Sequence, residues 1–233
     1  AALDFIRNEQ FCAEEAALVQ RYISALFYYA TDGENWTDAS NWLSSSHECD
    51  WGSIDCDTES QTIRVLSIDD NNLGGTIPFE ICFLPFLEAI DLDDNQIGGT
   101  IPDSIGDCSN LKIIDIDSNM MSGTIPASLY SIQGLQTLDI DTNQFSGTIS
   151  AEISSLTNLN YLGMQKNIFT GTIPFCDEIG AATELEYNEK IETILKGISG
   201  DNAFDENDSD RSAALDFIRN EQFCAEEAAI VQR

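Results

Sequence analysis

The stretch "LSIDDNNLGGTIP", residues 66–78, recurs four more times: "IDLDDNQIGGTIP" from Ile90, "IDIDSNMMSGTIP" from Ile114, "LDIDTNQFSGTIS" from Leu138 and "LGMQKNIFTGTIP" from Leu162. Each copy begins 24 residues after the last, with no insertion. Self-similarity at a fixed period of this size is the mark of a solenoid, in which each repeat is one coil. Two apolar residues in alternation, such as Ile114 and Ile116, make a short strand with one face inward. An Asn follows in every copy, at 71, 95, 119, 143 and 167. Its amide can satisfy backbone groups that the bend would otherwise bury unpaired. Further inward columns run through Ile81, Ile105, Leu129 and Ile153, and through Leu87, Leu111, Leu135 and Leu159. One coil cannot bury these alone, whereas stacked coils share a continuous core.

The pattern resembles the plant-type leucine-rich repeat, LxxLxLxxNxLxGxIP, over about residues 63–174. The segment "ATDGENWTDASNWLSSSHECDWGSIDCD", residues 30–57, is similar to the N-terminal cap of secreted leucine-rich repeat proteins of diatoms and related algae. Residues 198–218 are similar to the stretch that precedes that cap in the same proteins. The resemblance implies an α/β fold. It is a right-handed solenoid of five 24-residue repeats, with a parallel sheet on its concave face and helical caps at both ends. It also implies an extracellular or cell-surface recognition module without catalytic activity, and a disulfide between Cys49 and Cys56.

A second repetition is longer. Residues 1–21, "AALDFIRNEQFCAEEAALVQR", return as residues 213–233, with Leu18 replaced by Ile230. Residues 1–62 then read as a helix followed by a disulfide cap, and 63–182 as the repeats. Residues 183–212 read as a helix and an acidic linker, and 213–233 as the start of the next unit in a tandem array. The chain opens without a secretory leader, so a mature or excised piece of a longer protein is expected. In the helix the apolar stripe is expected through Leu18, Tyr22, Ala25, Leu26 and Tyr29. After Pro174 the repeat pattern stops, and the last coil needs a lid. The helix at 183–197 is one candidate and the copied tail the other; the tail is expected to fold back as a helix on that end, with Cys176 bonded to Cys224 and Cys12 left as a free thiol. Neighbouring units would thereby lock together.

There are seven cysteines; discounting Cys224, the copy of Cys12, leaves an even six per unit, which suits disulfides and an oxidising compartment. The sequons Asn35-Trp36-Thr37 and Asn207-Asp208-Ser209 agree with secretion. Cys82 and Cys108 lie in adjacent coils and are close enough in register for a bond. Cys108 also falls in the inward column of Leu84, Ile132 and Leu156, where a buried free thiol is the alternative.

The charge balance is extreme: Asp+Glu 41 against Lys+Arg 10, a net charge of −31. It excludes nucleic acid and anionic membrane surfaces as partners. No apolar run approaches the ~18–20 residues of a membrane span. The only histidine, His47, sits beside Cys49 in the cap and reads as structural; there is no nucleotide loop or metalloprotease signature, so no enzyme is expected.

The register also fixes what faces outward. Along the strands one column is Val65, Ala89, Ile113, Thr137 and Tyr161. The next is Ser67, Asp91, Asp115, Asp139 and Gly163; the third is Asp69, Asp93, Asp117, Asp141 and Gln165. Carboxylates on adjacent strands then stand about 4.8 Å apart and repel. Three readings follow. The ladders are a hydrated surface; or Ca²⁺ bridges Asp91, Asp93, Asp115, Asp117, Asp139 and Asp141; or they steer a basic protein or a glycan onto the Val65–Tyr161 stripe. No cofactor is required by any of them. "DENDSDRSAALD", residues 205–216, lacks the Gly of an EF-hand loop. A separate column is all threonine: Thr76, Thr100, Thr124, Thr148 and Thr172, with Ser122, Ser146 and Thr170 two residues earlier. Thr favours strands in any case. A flat Thr ladder also makes ice a candidate ligand. The expected function is an adhesion module, and the alternative is a surface for mineral, cations or ice.

Overall fold

The computed structural model describes residues 15–171. Helix α1 (Glu15–Ala30) leads into the cap, and nine short strands follow. They are β1 (Ile54–Cys56), β2 (Ile63–Ser67), β3 (Ala89–Asp91), β4 (Ile113–Asp115), β5 (Ser122–Gly123), β6 (Thr137–Asp139), β7 (Gln144–Gly147), β8 (Tyr161–Gly163) and β9 (Ile168–Phe169). The main sheet has the order β1-β2-β3-β4-β6-β8. From β2 onward the pairs are parallel and in strict register, Leu66 to Ile90 to Ile114 to Leu138 to Leu162. This is the stacking that the 24-residue period demands. Each coil carries its own slice of core, and Leu66, Ile90, Ile114 and Leu138 are all buried. Fully burying one such side chain is worth about 1.5–3 kcal/mol.

Between strands the chain turns through 3-10 segments, Phe79–Phe83, Asp103–Asp107, Ala127–Ser131 and Ala151–Ser155. Pro78, Pro102 and Pro126 precede the first three, each with φ near the value its ring imposes. At the bend each Asn ties its coil to the one before. Asn119 Oδ1 accepts the Ile97 N–H at 2.9 Å, and its Nδ2 donates to Leu92 O at 2.9 Å and to Asp117 O at 2.9 Å. Asn95, Asn143 and Asn167 repeat the pattern.

The cap is more ordered than its sequence suggests. Residues 31–62 read as irregular, yet β1 pairs antiparallel with β2 and covers the sheet's first edge. An uncovered edge would offer unpaired backbone groups to other chains. Trp36, Trp42 and Trp51 form one cluster, with ring centroids 4.8 Å apart for Trp36–Trp42 and 5.2 Å for Trp42–Trp51. The indoles of Trp36 and Trp42 donate to Thr31 O and Gly52 O, both at 2.9 Å.

Helix α1 buries part of the expected stripe, Ala25 fully and Tyr22 against the core, but its inner face is centred on other residues. Ile23 and Phe27 are fully buried together with Gln20, Arg21 and Ser24, while Tyr29 is exposed. The helix is apolar on nearly every side, so spacing alone could not choose its inner face. The polar residues choose it. Gln20 Oε1 accepts the Ile63 N–H at 2.9 Å, and Arg21 pairs with buried Glu48 and donates to Ser46 O at 2.9 Å. Among the described residues two disulfides are formed, Cys49–Cys56 and Cys82–Cys108. The second joins adjacent coils. The expected C-terminal helix and linker, the folded-back tail, the Cys176–Cys224 bond, the free Cys12 and Thr172 lie outside the described residues.

Candidate functional site

Two surfaces of the solenoid carry ordered columns. On the main sheet, Asp91 pairs in register with Ser67 and Asp115, and Asp115 with Asp139. The Ser67 hydroxyl donates to Asp91 Oδ2 at 2.8 Å. At Gly163 the ladder ends, and a Cβ there would stand 2.2 Å from Asp139 Oδ1, so Asp139 lies across the glycine.

Burial, with neighbouring charges, moves three carboxyls of the two columns upward. Burial pushes Asp93 up to about 7, helped by a hydrogen bond shared with Asp91 and by the charges of Asp91, Asp117 and Asp69. Burial and the Asp139 charge raise Asp115 to about 8, against the Asp117 N–H that it accepts. Burial raises Asp117 to about 6, with Asp139 and Asp141 adding to it. Asp93 and Asp115 therefore relieve repulsion in the ladders by holding protons near neutral pH. Among the described residues no group of three or more His, Cys, Asp or Glu side chains is arranged to hold a metal ion. Asp91, Asp93, Asp115, Asp117, Asp139 and Asp141 do not form the multidentate oxygen cage that Ca²⁺ prefers. Beside them the first column offers Ile113, 39% exposed, with Thr137 and Tyr161 half-buried.

The second surface was not foreseen as a sheet. Strands β5, β7 and β9 pair in parallel, and a single bridge extends the pairing to Thr76 and Gly98. Thr76, Thr100, Thr124 and Thr148 stand exposed along it. Each threonine methyl rests on the next coil's glycine. A Cβ at Gly99, Gly123 or Gly147 would lie 2.8 Å from the γ-methyl of Thr76, Thr100 or Thr124. These three methyls therefore take the same place against their glycines. Hydroxyls in the neighbouring rank are used internally: Ser122, Ser146 and Thr170 donate to Gly99 O, Gly123 O and Gly147 O at 3.2–3.3 Å. Among the described residues, the four hydroxyls of the Thr column make no such bond. The missed signal was the Gly that follows the apolar residue in every copy, which fixes the threonine.

Family models described as leucine rich repeat match residues 62–84 and 85–145. Both matches fall on the 24-residue repeats. Among solved structures the chain is similar to a plant ice-binding protein, with 31% identity and a TM-score of 0.62 over 74% of this chain and 55% of that one. It therefore spans little more than half of that protein's length. It is similar to a Pollen Receptor Kinase 3, with 30% identity and a TM-score of 0.56 over 64% of this chain and 72% of that one. It also shares the fold of the leucine-rich repeat ectodomain of the receptor kinase SOBIR1 from Arabidopsis thaliana, at 24% identity and a TM-score of 0.58 over 69% of this chain and 84% of that one. No curated protein matches the sequence. Among the described residues no helix is long and apolar enough to cross a membrane.

Proposed function

We propose that the chain is a non-enzymatic, extracellular recognition and adhesion module that holds a protein or glycan partner on its strand face. The observation that carries this reading is the composition of that face. A stripe of apolar and aromatic side chains through Ile113 and Tyr161 runs beside carboxyls that keep protons near neutral pH. A cationic group arriving there displaces a proton and takes its place, so the ladders favour basic partners and steer their approach. The likeness to receptor ectodomains supports an extracellular setting. The duplicated 21 residues support a tandem arrangement of such units. Ca²⁺ enters only as a pairwise bridge between carboxylates of adjacent strands. An array of extracellular proteins and glycans, probed with the chain and with an Ile113→Ser/Asp115→Asn variant, tests the proposal. Hits lost by the variant support it; hits kept by the variant, or no hits, reject it.

A second reading concerns the Thr column. Four exposed threonines, whose hydroxyls make no hydrogen bond among the described residues, repeat at the strand spacing of about 4.8 Å. The fold likeness to a plant ice-binding protein favours ordered water as the ligand of this column. Thermal hysteresis and ice-crystal shaping by the chain, both abolished by Thr124→Lys, are the expected results. Ice that grows unaltered in its presence sinks this reading.

A further inference from the structure

The coil that follows β2 differs from its neighbours on the surface made by the 3-10 turns. Phe79, Phe83 and Phe86 are 58%, 56% and 52% exposed. The rings of Phe79 and Phe83 meet edge-on, with centroids 6.5 Å apart. The same positions hold Asp103, Asp107 and Asn110 one coil on, then Ala127, Ser131 and Gly134, then Ala151, Ser155 and Asn158. The fold therefore has no need of aromatic residues here. Small and polar side chains serve the turn equally well in the three coils that follow.

Stacking then puts an acid next in the columns of two of the rings. Ser104 Oγ donates to Phe79 O at 2.7 Å, and Asn110 Nδ2 donates to Pro85 O at 2.6 Å, so the two turns run in register. Asp103 follows Phe79 in its column and Asp107 follows Phe83, and both carboxylates are exposed. A ring face beside a carboxylate is a seat for a guanidinium, which stacks on the one and pairs with the other. Two such seats lie four residues apart, and Phe86 extends the apolar ridge beyond them. Three half-exposed rings offer roughly 300 Å² of apolar surface, the size of a functional patch but far short of a globular interface. A second copy of this chain, carrying a net charge of −31, is repelled by the acids that rim the ridge.

We propose that Phe79, Phe83 and Phe86, with Asp103 and Asp107, form a second docking surface, for a short partner segment that alternates arginine with apolar side chains. It is independent of the strand face and of the Thr column.

The test uses the full chain and a short synthetic peptide of arginine and leucine, titrated by calorimetry beside its glutamate-for-arginine counterpart. The variants are Phe79→Ser/Phe83→Ser/Phe86→Asn, which carries residues of the later coils, and Asp91→Asn/Asp115→Asn on the strand face. The arginine peptide should bind, the glutamate peptide should not, and the phenylalanine variant should bind about 10-fold more weakly or worse. The strand-face variant should bind as the parent does. Equal binding by the phenylalanine variant would show simple charge attraction and overturn the proposal. So would binding lost only in the strand-face variant, or no binding at all. A dimeric parent made monomeric by the phenylalanine substitutions would assign the ridge to self-association and overturn it. Because the three rings are exposed, the variant should melt as the parent does. A melting temperature several degrees lower would mean that the chain itself covers the ridge, and would also overturn the proposal.

Discussion

Thr124 and Gly147 are fitted to each other across adjacent coils: a Cβ on Gly147 would stand 2.8 Å from the threonine methyl, and Gly147 has φ 81°. Gly147→Ala therefore faces both a left-handed backbone and a contact too short for carbon atoms. The left-handed conformation alone costs an L-residue about 1–2 kcal/mol. The expected loss is about 2 kcal/mol or more, read by urea unfolding. Adding Thr124→Ser removes the methyl and should return part of that loss. A double variant no more stable than Gly147→Ala would show that the methyl contact is not the cause.

The Asn column makes a second prediction. Asn119 satisfies the Ile97 N–H and three carbonyl oxygens from two coils. Asn119→Leu leaves the buried Ile97 N–H without its partner, which costs about 1–3 kcal/mol, while Leu92 O, Ile116 O and Asp117 O keep their bonds from Asn95, Asn143 and Asp94. Unfolding should weaken accordingly, and amide exchange at Ile97 should accelerate. Unchanged exchange at Ile97 would mean that water replaces the amide.

The repeat was legible because a solenoid writes its geometry along one dimension. A column read at steps of 24 residues is a column in space, so Leu66, Ile90, Ile114 and Leu138 stack as the register requires. The seven strand-face aspartates were legible for the same reason. Strand β1 was not, because Ile54–Cys56 is too short to show a period and forms by pairing with β2. The inner face of α1 was not legible either, because long-range partners of Gln20 and Arg21 decide it. The phenylalanine ridge was visible in "FEICFLPFLE", residues 79–88, only by contrast with the later coils, and exposure had to be seen to give it meaning.

A third prediction concerns Cys82–Cys108, which bridges two coils across 26 residues. Closing a loop of this size restricts the unfolded chain and contributes about 2–4 kcal/mol. The Cys82→Ala/Cys108→Ala variant should unfold at correspondingly lower urea while keeping its fold, because the stacking survives without the bond. Both positions are buried, so a single substitution leaves a buried thiol and should behave similarly. A double variant as stable as the parent would leave the bond without a stabilising role.

The last prediction is a pH dependence of unusual sign. Asp93, Asp115 and Asp117 are raised from 3.8 to about 7, about 8 and about 6, chiefly by burial. In the unfolded chain they titrate near their ordinary value. Below that value both states are protonated, and the preference of these groups for the folded chain is fully present. Above it the unfolded chain has released protons that the folded chain still holds, so stability falls as pH rises through the folded values. Asp38, Asp57 and Glu88 work the other way: hydrogen bonds from Ser40, Ser60 and Lys112 are their main causes of lowering, and their contribution is lost in acid. The melting temperature should thus fall between about pH 5 and pH 8, the range in which most proteins are at their most stable. Asp115→Asn should raise the melting temperature at pH 8 more than at pH 5 and flatten the profile. A melting temperature that climbs across this range, in parent and variant alike, would show that the ladder is fully ionised and solvated.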